Sequence, residues 1–251
     1  MVKLSVVVIT LNEEENIGRC LESVSDVADE ILVVDSLSTD TTREICESHG
    51  ARFVEQKFLG YVEQKNFALD LATHEHVLSL DADEALSPEL RAEILRIKAD
   101  FQQDGYRFNR LTRHSGHWVR HCGWYPDAQV RLFRKSKTRW VGTNPHDHAE
   151  VSGSVAHIAG DLFHYSFDSV SSHVKQADHF TSIEARALIS QGKRGSLLKL
   201  VSGAPLRFCG DYFLKLGILD GRHGLVICSL NGLYVLLTTA KMMELERQGK
   251  L

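Results

Sequence analysis

The 251-residue sequence has no excess of positive charge: 29 Lys and Arg face 33 Asp and Glu, a formal net charge of −4. That excludes a protein held to nucleic acid by bulk electrostatics. The cysteines Cys20, Cys46, Cys122, Cys209 and Cys228 are odd in number and lack any CxxC spacing. Neither a disulfide framework nor a redox motif is expected, and a reduced cytoplasmic setting fits. The apolar run at residues 4–11 has no small-residue cleavage site and leads straight into Asn12 and three glutamates. It reads as a buried strand rather than a signal peptide. Internal repeats and low-complexity stretches are also missing. What remains is a chain with 43% hydrophobic and 25% charged residues, enough apolar material for a sizeable core.

Strand and helix patterns alternate over the first hundred residues. Residues 4–9 form a β-branched run suited to a parallel strand covered on both faces. Asn12 with Glu15 is expected to cap a helix whose apolar stripe is Ile17, Cys20, Leu21 and Val24. Further strands are expected at 31–34, 52–54 and 76–80, helices at 61–72 and after the Ser87-Pro88 pair. Such alternation predicts an α/β fold with a doubly wound, mostly parallel sheet. After Gly105 shorter strands follow, with a helix at 171–189. The expected organisation is one domain over 1–192, with halves 1–104 and 105–192, and a basic, apolar helical segment over 193–251.

That last segment carries nine basic and four acidic residues, while the remainder carries 20 and 29. The imbalance suggests different partners at the two ends. Residues 223–240 contain no Asp, Glu, Lys or Arg. As a helix they reach roughly 27 Å, barely a bilayer core, and His223, Ser229 and Asn231 weaken a spanning assignment. Upstream, Lys193, Arg194, Lys199, Arg207, Lys215 and Arg222 are interleaved with leucines and aromatics, a pattern suited to an anionic membrane surface. A helical pair packed on the domain, or on a second subunit, is the alternative.

In an open parallel sheet, ligands bind beyond the carboxyl ends of the strands. Those ends carry Thr10, Asn12 and Glu13; Asp35; and Asp81 with Asp83. Two carboxylates brought so close repel unless a cation sits between them, and oxygen ligands favour Mg²⁺ or Mn²⁺ shared with substrate phosphates. The blocks SVVVITLNEEENI (5–17), EILVVDSLSTD (30–40), QKNFAL (64–69) and LSLDADE (78–84) resemble family 2 glycosyltransferases of the GT-A fold. They are most similar to the small bacterial subgroup that extends lipopolysaccharide core. RLFR (131–134) and LFHYS (162–166) carry the resemblance through about two-thirds of the chain. Leu37 departs from it, standing where relatives commonly have Gly.

The resemblance implies an inverting transfer of a hexose from a nucleotide-sugar, UDP-glucose first, with ADP-heptose and UDP-galactose open. The acceptor it implies is lipopolysaccharide core or another lipid-linked sugar, reached by a peripheral enzyme on the inner face of the cytoplasmic membrane. Asp35 then meets the base, Thr10, Asn12 and Glu13 border the nucleotide, and Lys65 touches a phosphate. Asp83, with Asp81 on the metal or the ribose, holds the cation, and His164 is a further ligand. An inverting transfer also needs a base for the acceptor hydroxyl. Asp147 is the first candidate and Glu150 the reserve.

Nine of the 13 histidines lie between His114 and His179, and the spacing of His114, His117, His121 and Cys122 permits zinc. The neighbouring Trp124 and Tyr125 instead suit the wall of a sugar-acceptor groove, and Arg131 and Arg134 suit acceptor phosphates. Two other classes compete. A nucleotidyltransferase requires a Gly-rich loop after the first strand, which residues 10–16 lack. A degenerate sugar-binding or scaffold subunit fits poorly with retention of Asp35, Asp81 and Asp83. An oligomer is compatible with either reading.

Overall fold

The computed structural model describes residues 1–143 and 146–249. Asn144 and Pro145, inside the block that holds Asp147, lie outside the described residues. In chain order the elements are β1 (Leu4–Thr10), α1 (Ile17–Val24), β2 (Glu30–Asp35), α2 (Thr42–Ser48), β3 (Arg52–Glu55) and α3 (Tyr61–Leu71). They continue with β4 (His76–Asp81), β5 (Glu84–Leu86), α4 (Pro88–Ala99), β6 (Gly105–His114), β7 (His117–Trp118) and β8 (Ala128–Arg134). Last come β9 (Thr138–Thr143), β10 (His146–Val151), β11 (Val155–Phe167), α5 (Val170–Ser190), α6 (Leu197–Cys209) and α7 (Gly221–Arg247).

The chain divides into two compact units, Met1–Leu111 with Asp127–Tyr165, and Thr112–Pro126 with Ser166–Leu251. Packing thus cuts the chain differently from composition, which suggested a boundary at 192. A short excursion from β6 to β8 joins the helices of the second unit, and α5 belongs with them.

The first unit is built on a sheet of order β3-β2-β1-β4-β8-β6-β11-β5. Strands β3, β2, β1 and β4 are parallel, as their unbroken apolar runs predict. Antiparallel β8, β6, β11 and β5 complete it. Residues Leu4, Val6, Val8, Leu78 and Leu80 pack beneath α1 and α4, while Val7, Leu32, Val34 and Val77 face α3 and Trp140. Alternation along each strand sends successive side chains to opposite faces, so both faces are covered. The α1 stripe of Ile17, Cys20, Leu21 and Val24 is buried as its spacing requires.

The start of α1 differs from expectation. Its N-cap is Asn16, which makes no side-chain cap, and Asn12 stands outside the helix at φ 53°. A short polar side chain tolerates this left-handed backbone. Asn12 uses it to stitch two loops together: its N–H donates to Ser38 Oγ (2.7 Å), and its Oδ1 accepts from Thr39 N (2.8 Å). Ser87 caps α4 as predicted, accepting from Leu90 N at 3.1 Å.

The second unit is mainly helical. Ser169 and Ser172 form a capping box at the start of α5. Helix α7 packs along α5 and α6. Glycine permits that approach: a Cβ at Gly232 would lie 2.9 Å from Ala204 O, and one at Gly203 would lie 2.9 Å from Val235 Cγ1. Residues 223–240 therefore lie within one long helix, packed in its own unit.

Candidate active site

The register brings the acidic strand ends together. Thr10 pairs with Asp35, and Ile9 pairs with Asp81, so β1, β2 and β4 end side by side. Asp35 is buried and accepts from Ser38 N at 2.7 Å, which shapes the loop after β2. In that loop Leu37 adopts φ 69°, a conformation that favours glycine, so the departure noted in the sequence falls on a strained position. Thr10 is buried with its hydroxyl unpartnered. Glu13 donates its N–H to Thr42 Oγ1 and accepts from Asn16 Nδ2 (2.9 and 2.8 Å).

Asp81 and Asp83, the pair expected to hold a cation, lie among protein side chains that offset their charge. Each already has a basic partner from the protein. Lys65, on α3, places Nζ 3.1 Å from Asp81 Oδ1 and 2.8 Å from Asp147 Oδ2. Arg131, on β8, places Nη2 2.9 Å from Asp81 Oδ2 and 2.8 Å from Glu84 Oε1. Asp81 is thereby held between two cationic side chains, while its Oδ1 makes no hydrogen bond among the described residues. Burial opposes its charge, but Lys65 and Arg131 outweigh burial and hold the carboxyl well below its usual range. At Glu84, which has no exposed surface, burial prevails over Arg131 and the carboxyl is pushed up.

Asp83 pairs with His164, Oδ2 to Nε2 at 3.1 Å, because β11 runs antiparallel to β5 with His164 opposite Glu84. Burial again opposes the charge, and His164 outweighs it, leaving Asp83 below its ordinary value. Asp83 and His164, an oxygen and an imidazole donor side by side, are the residues that would hold a Mg²⁺ or Mn²⁺ ion. No group of three or more metal-ligating side chains occurs among the described residues, which also disfavours zinc at His114, His117, His121 and Cys122.

The two base candidates separate by strand alternation. On β10, Asp147 turns inward to Lys65, whereas Glu150 lies on the exposed face opposite Arg139 and lines a separate polar groove with Lys135 and Lys137. Glu150 is thus away from the cluster. So is Arg134, expected to meet acceptor phosphates: it pairs in register with His76 at the far end of β4. There its Nη2 donates to Phe101 O at 2.9 Å, and its guanidinium lies over the Phe101 ring. Arg131 is buried among carboxylates rather than presented to an acceptor. Trp124 and Tyr125 belong to the second unit, where Trp124 packs with His114, Phe167 and His173, and Arg120 lies over Tyr125.

Three neighbours went unpredicted. Glu84 was legible only as the residue following the acidic pair. Trp140 carries both cations on its ring, Lys65 Nζ at 4.5 Å and Arg131 Cζ at 5.4 Å from the centroid. Tyr61 lies close enough to Asp81, Asp147 and Asp83 that, after burial, their charges push its hydroxyl up. No spacing in the sequence links Trp140 or Tyr61 to the acidic motif.

Parallel strands ending in acidic residues, completed by an antiparallel edge and an inward-facing base candidate, define an α/β transferase of the GT-A type. The glycosyl transferase family 2 profile matches residues 5–158, and the chain belongs to that family. It is 32% identical to an uncharacterized glycosyltransferase of Rickettsia typhi, over 100% of this chain and 90% of the relative. It is 29% identical to the lipopolysaccharide core biosynthesis glycosyltransferase LpsC of Rhizobium meliloti, over 96% and 92%. Among solved structures, S. aureus TarS 1–349 in complex with UDP aligns with a TM-score of 0.51 at 15% identity, covering 98% of this chain and 92% of that one. That likeness establishes the fold. A nucleotide-sugar glycosyltransferase of family 2 excludes the nucleotidyltransferase alternative.

Proposed function

We propose that this glycosyltransferase moves a hexose, glucose in the first instance, from UDP-glucose to a lipopolysaccharide-core or other lipid-linked acceptor, with inversion. It would work as a peripheral protein on the inner face of the cytoplasmic membrane. One observation carries the reading: Lys65 joins the donor-side carboxylate Asp81 to the inward-facing Asp147 within a single salt-bridged cluster. The lipopolysaccharide role borne by the name of the Rhizobium relative supports the acceptor class.

In this reading Asp35 and Thr10 meet the nucleoside, with Asn12 and Glu13 fixing the loop around it. Asp83 and His164 would hold Mg²⁺ or Mn²⁺, which supplies positive charge to the diphosphate leaving group. Lys65 and Arg131 are cations fixed by buried partners before substrate arrives, so they stabilise developing negative charge with little reorganisation. Asp147 accepts the proton of the acceptor hydroxyl, and Lys65 sets its position.

Thermal shift across a panel of nucleotide-sugars, with and without Mn²⁺, identifies the donor, since a ligand of the native state raises Tm. Asp147→Asn is expected to lower kcat by ~10²-fold or more while leaving UDP-glucose binding within about twofold. Asp83→Ala is expected to remove the Mn²⁺-dependent part of the donor shift. Unchanged turnover in Asp147→Asn overturns the assignment of the base.

A further inference from the structure

No residue of helix α6 is fully buried, although its sequence is largely apolar and one side of it packs on α7. Leu197, Leu198, Val201 and Leu206 on the helix, with Leu214 and Leu219 in the turns after it, are 64–85% exposed. This patch is larger than scattered surface leucines account for. The charge around it has one sign. Between residues 192 and 222 the only acids are Asp211 and Asp220, both buried. Asp211 is held by Arg207 (2.6 Å), Lys215 (2.9 Å) and Asn231 (2.8 Å), and Asp220 by His117 and His121. Lys193, Arg194, Lys199 and Arg222 are exposed on the same stretch.

Among the described helices, the one that includes α7 is long and apolar enough to cross a bilayer, with a mean hydropathy of 1.5. Its polar groups, however, are bound inside the unit. Asn231 donates to Asp211, while Lys241 donates to Asp178 Oδ1, Thr181 and Ser182 at 2.7–2.8 Å. Withdrawing α7 into lipid breaks these contacts and the close packing at Gly232.

We propose that α6 and the turns after it dock on an anionic lipid bilayer, with basic side chains among the head groups, leucines at the acyl boundary, and α7 remaining packed in the protein. Charge complementarity selects the occupant: a second copy related by two-fold symmetry sets the same basic stretch against itself, whereas an anionic leaflet attracts it. The proposal deepens the reading of a lipid-linked acceptor and takes its purpose from it, but the docking can be measured without any sugar.

The purified full chain is sedimented with phosphatidylcholine vesicles, with or without roughly one-third phosphatidylglycerol, at low and at ~0.5 M salt. Cys209, the exposed one of the five thiols, carries an environment-sensitive fluorophore. Binding to the anionic vesicles is expected to be at least about tenfold tighter, to be released by salt, and to shift the label to the blue. Replacing Lys193, Arg194 and Lys199 together by Ser, or Leu198 and Val201 together by Glu, is expected to weaken it by roughly a hundredfold, with unchanged circular-dichroism melting. Absent binding, equal binding to neutral vesicles, retention after salt and alkaline carbonate, or a vesicle-free dimer broken by the Leu198/Val201 change each overturns the proposal. Loss of glucosyl transfer to a soluble acceptor with vesicle binding intact overturns the proposed function instead.

Discussion

Lys65 illustrates how one side chain organises the site. It is nearly buried, yet three groups surround its ammonium: Asp81, Asp147 and the face of Trp140. A solvated lysine on a helix face is the common case. Here a helix whose apolar stripe is weak turns Gln64 and Lys65 inward with Ala68 and Leu69. Removing the cation leaves two carboxylates facing each other in a poorly solvated setting. Lys65→Ala is therefore expected to cost about 3 kcal/mol of stability, in the range for breaking a buried pair, and to reduce transfer by ~10²-fold or more. Lys65→Arg is not a conservative rescue, because the fork geometry differs from a point charge. Chemical denaturation and steady-state kinetics of both variants check this.

At the scale of elements, the site depends on β11 crossing close to α4. Gly160 sits at φ +90°, and a Cβ there would come within 2.4 Å of Leu90 N in the first turn of α4. The same strand, four residues on, carries His164 to Asp83. Gly160→Ala is expected to destabilise the first unit by about 2 kcal/mol or more, through both left-handed strain and the backbone clash. Tm should fall by roughly 5 °C, and Mn²⁺-dependent donor binding should weaken with it. A wild-type melting curve shows that the strand can shift without consequence. Strand alternation also explains why a block with two acidic candidates yields only one inward carboxylate: residues 147 and 150 are an odd number of positions apart.

At the scale of the whole molecule, imidazoles in both units tie stability to pH; in the first, burial and then Arg134 lower His76. In the second, His173 is buried beside His114 at 3.2 Å, and burial first, then His114, pushes its imidazole down from 6.5 to about 4. Its neutral form thus contributes stability that is fully present above pH 6.5 and is lost as pH falls from 6.5 through 4, up to about 3 kcal/mol. The lowered carboxyls Asp81 and Asp83, in the first unit, contribute stability present above their ordinary value of 3.8 and lost only as pH falls further. Melting between pH 8 and pH 4 is expected to show stability falling below pH 6.5, before the carboxylates titrate. His173→Phe should flatten that dependence while lowering stability at pH 8, because His114 loses its partner. A wild-type curve flat to pH 4 contradicts the assignment.

By itself the sequence determined the strand–helix alternation, the acidic strand ends and the transferase family. These follow from local periodicity and from motifs whose residues are near neighbours in the chain. The cation partners of those acids were another matter. Lys65 and Arg131 come from α3 and β8, and Trp140 from β9, brought together by parallel crossovers and an antiparallel edge that no local pattern encodes. The face of a strand likewise depends on register, which turned Asp147 rather than Glu150 toward Lys65 and carried Arg134 to the far end of the sheet. In the C-terminal region, composition marked an apolar, basic segment but could not say which helix it covers. Packing decided that, because the glycines of α6 and α7 let the two helices close on one another and left the leucines of α6 outside.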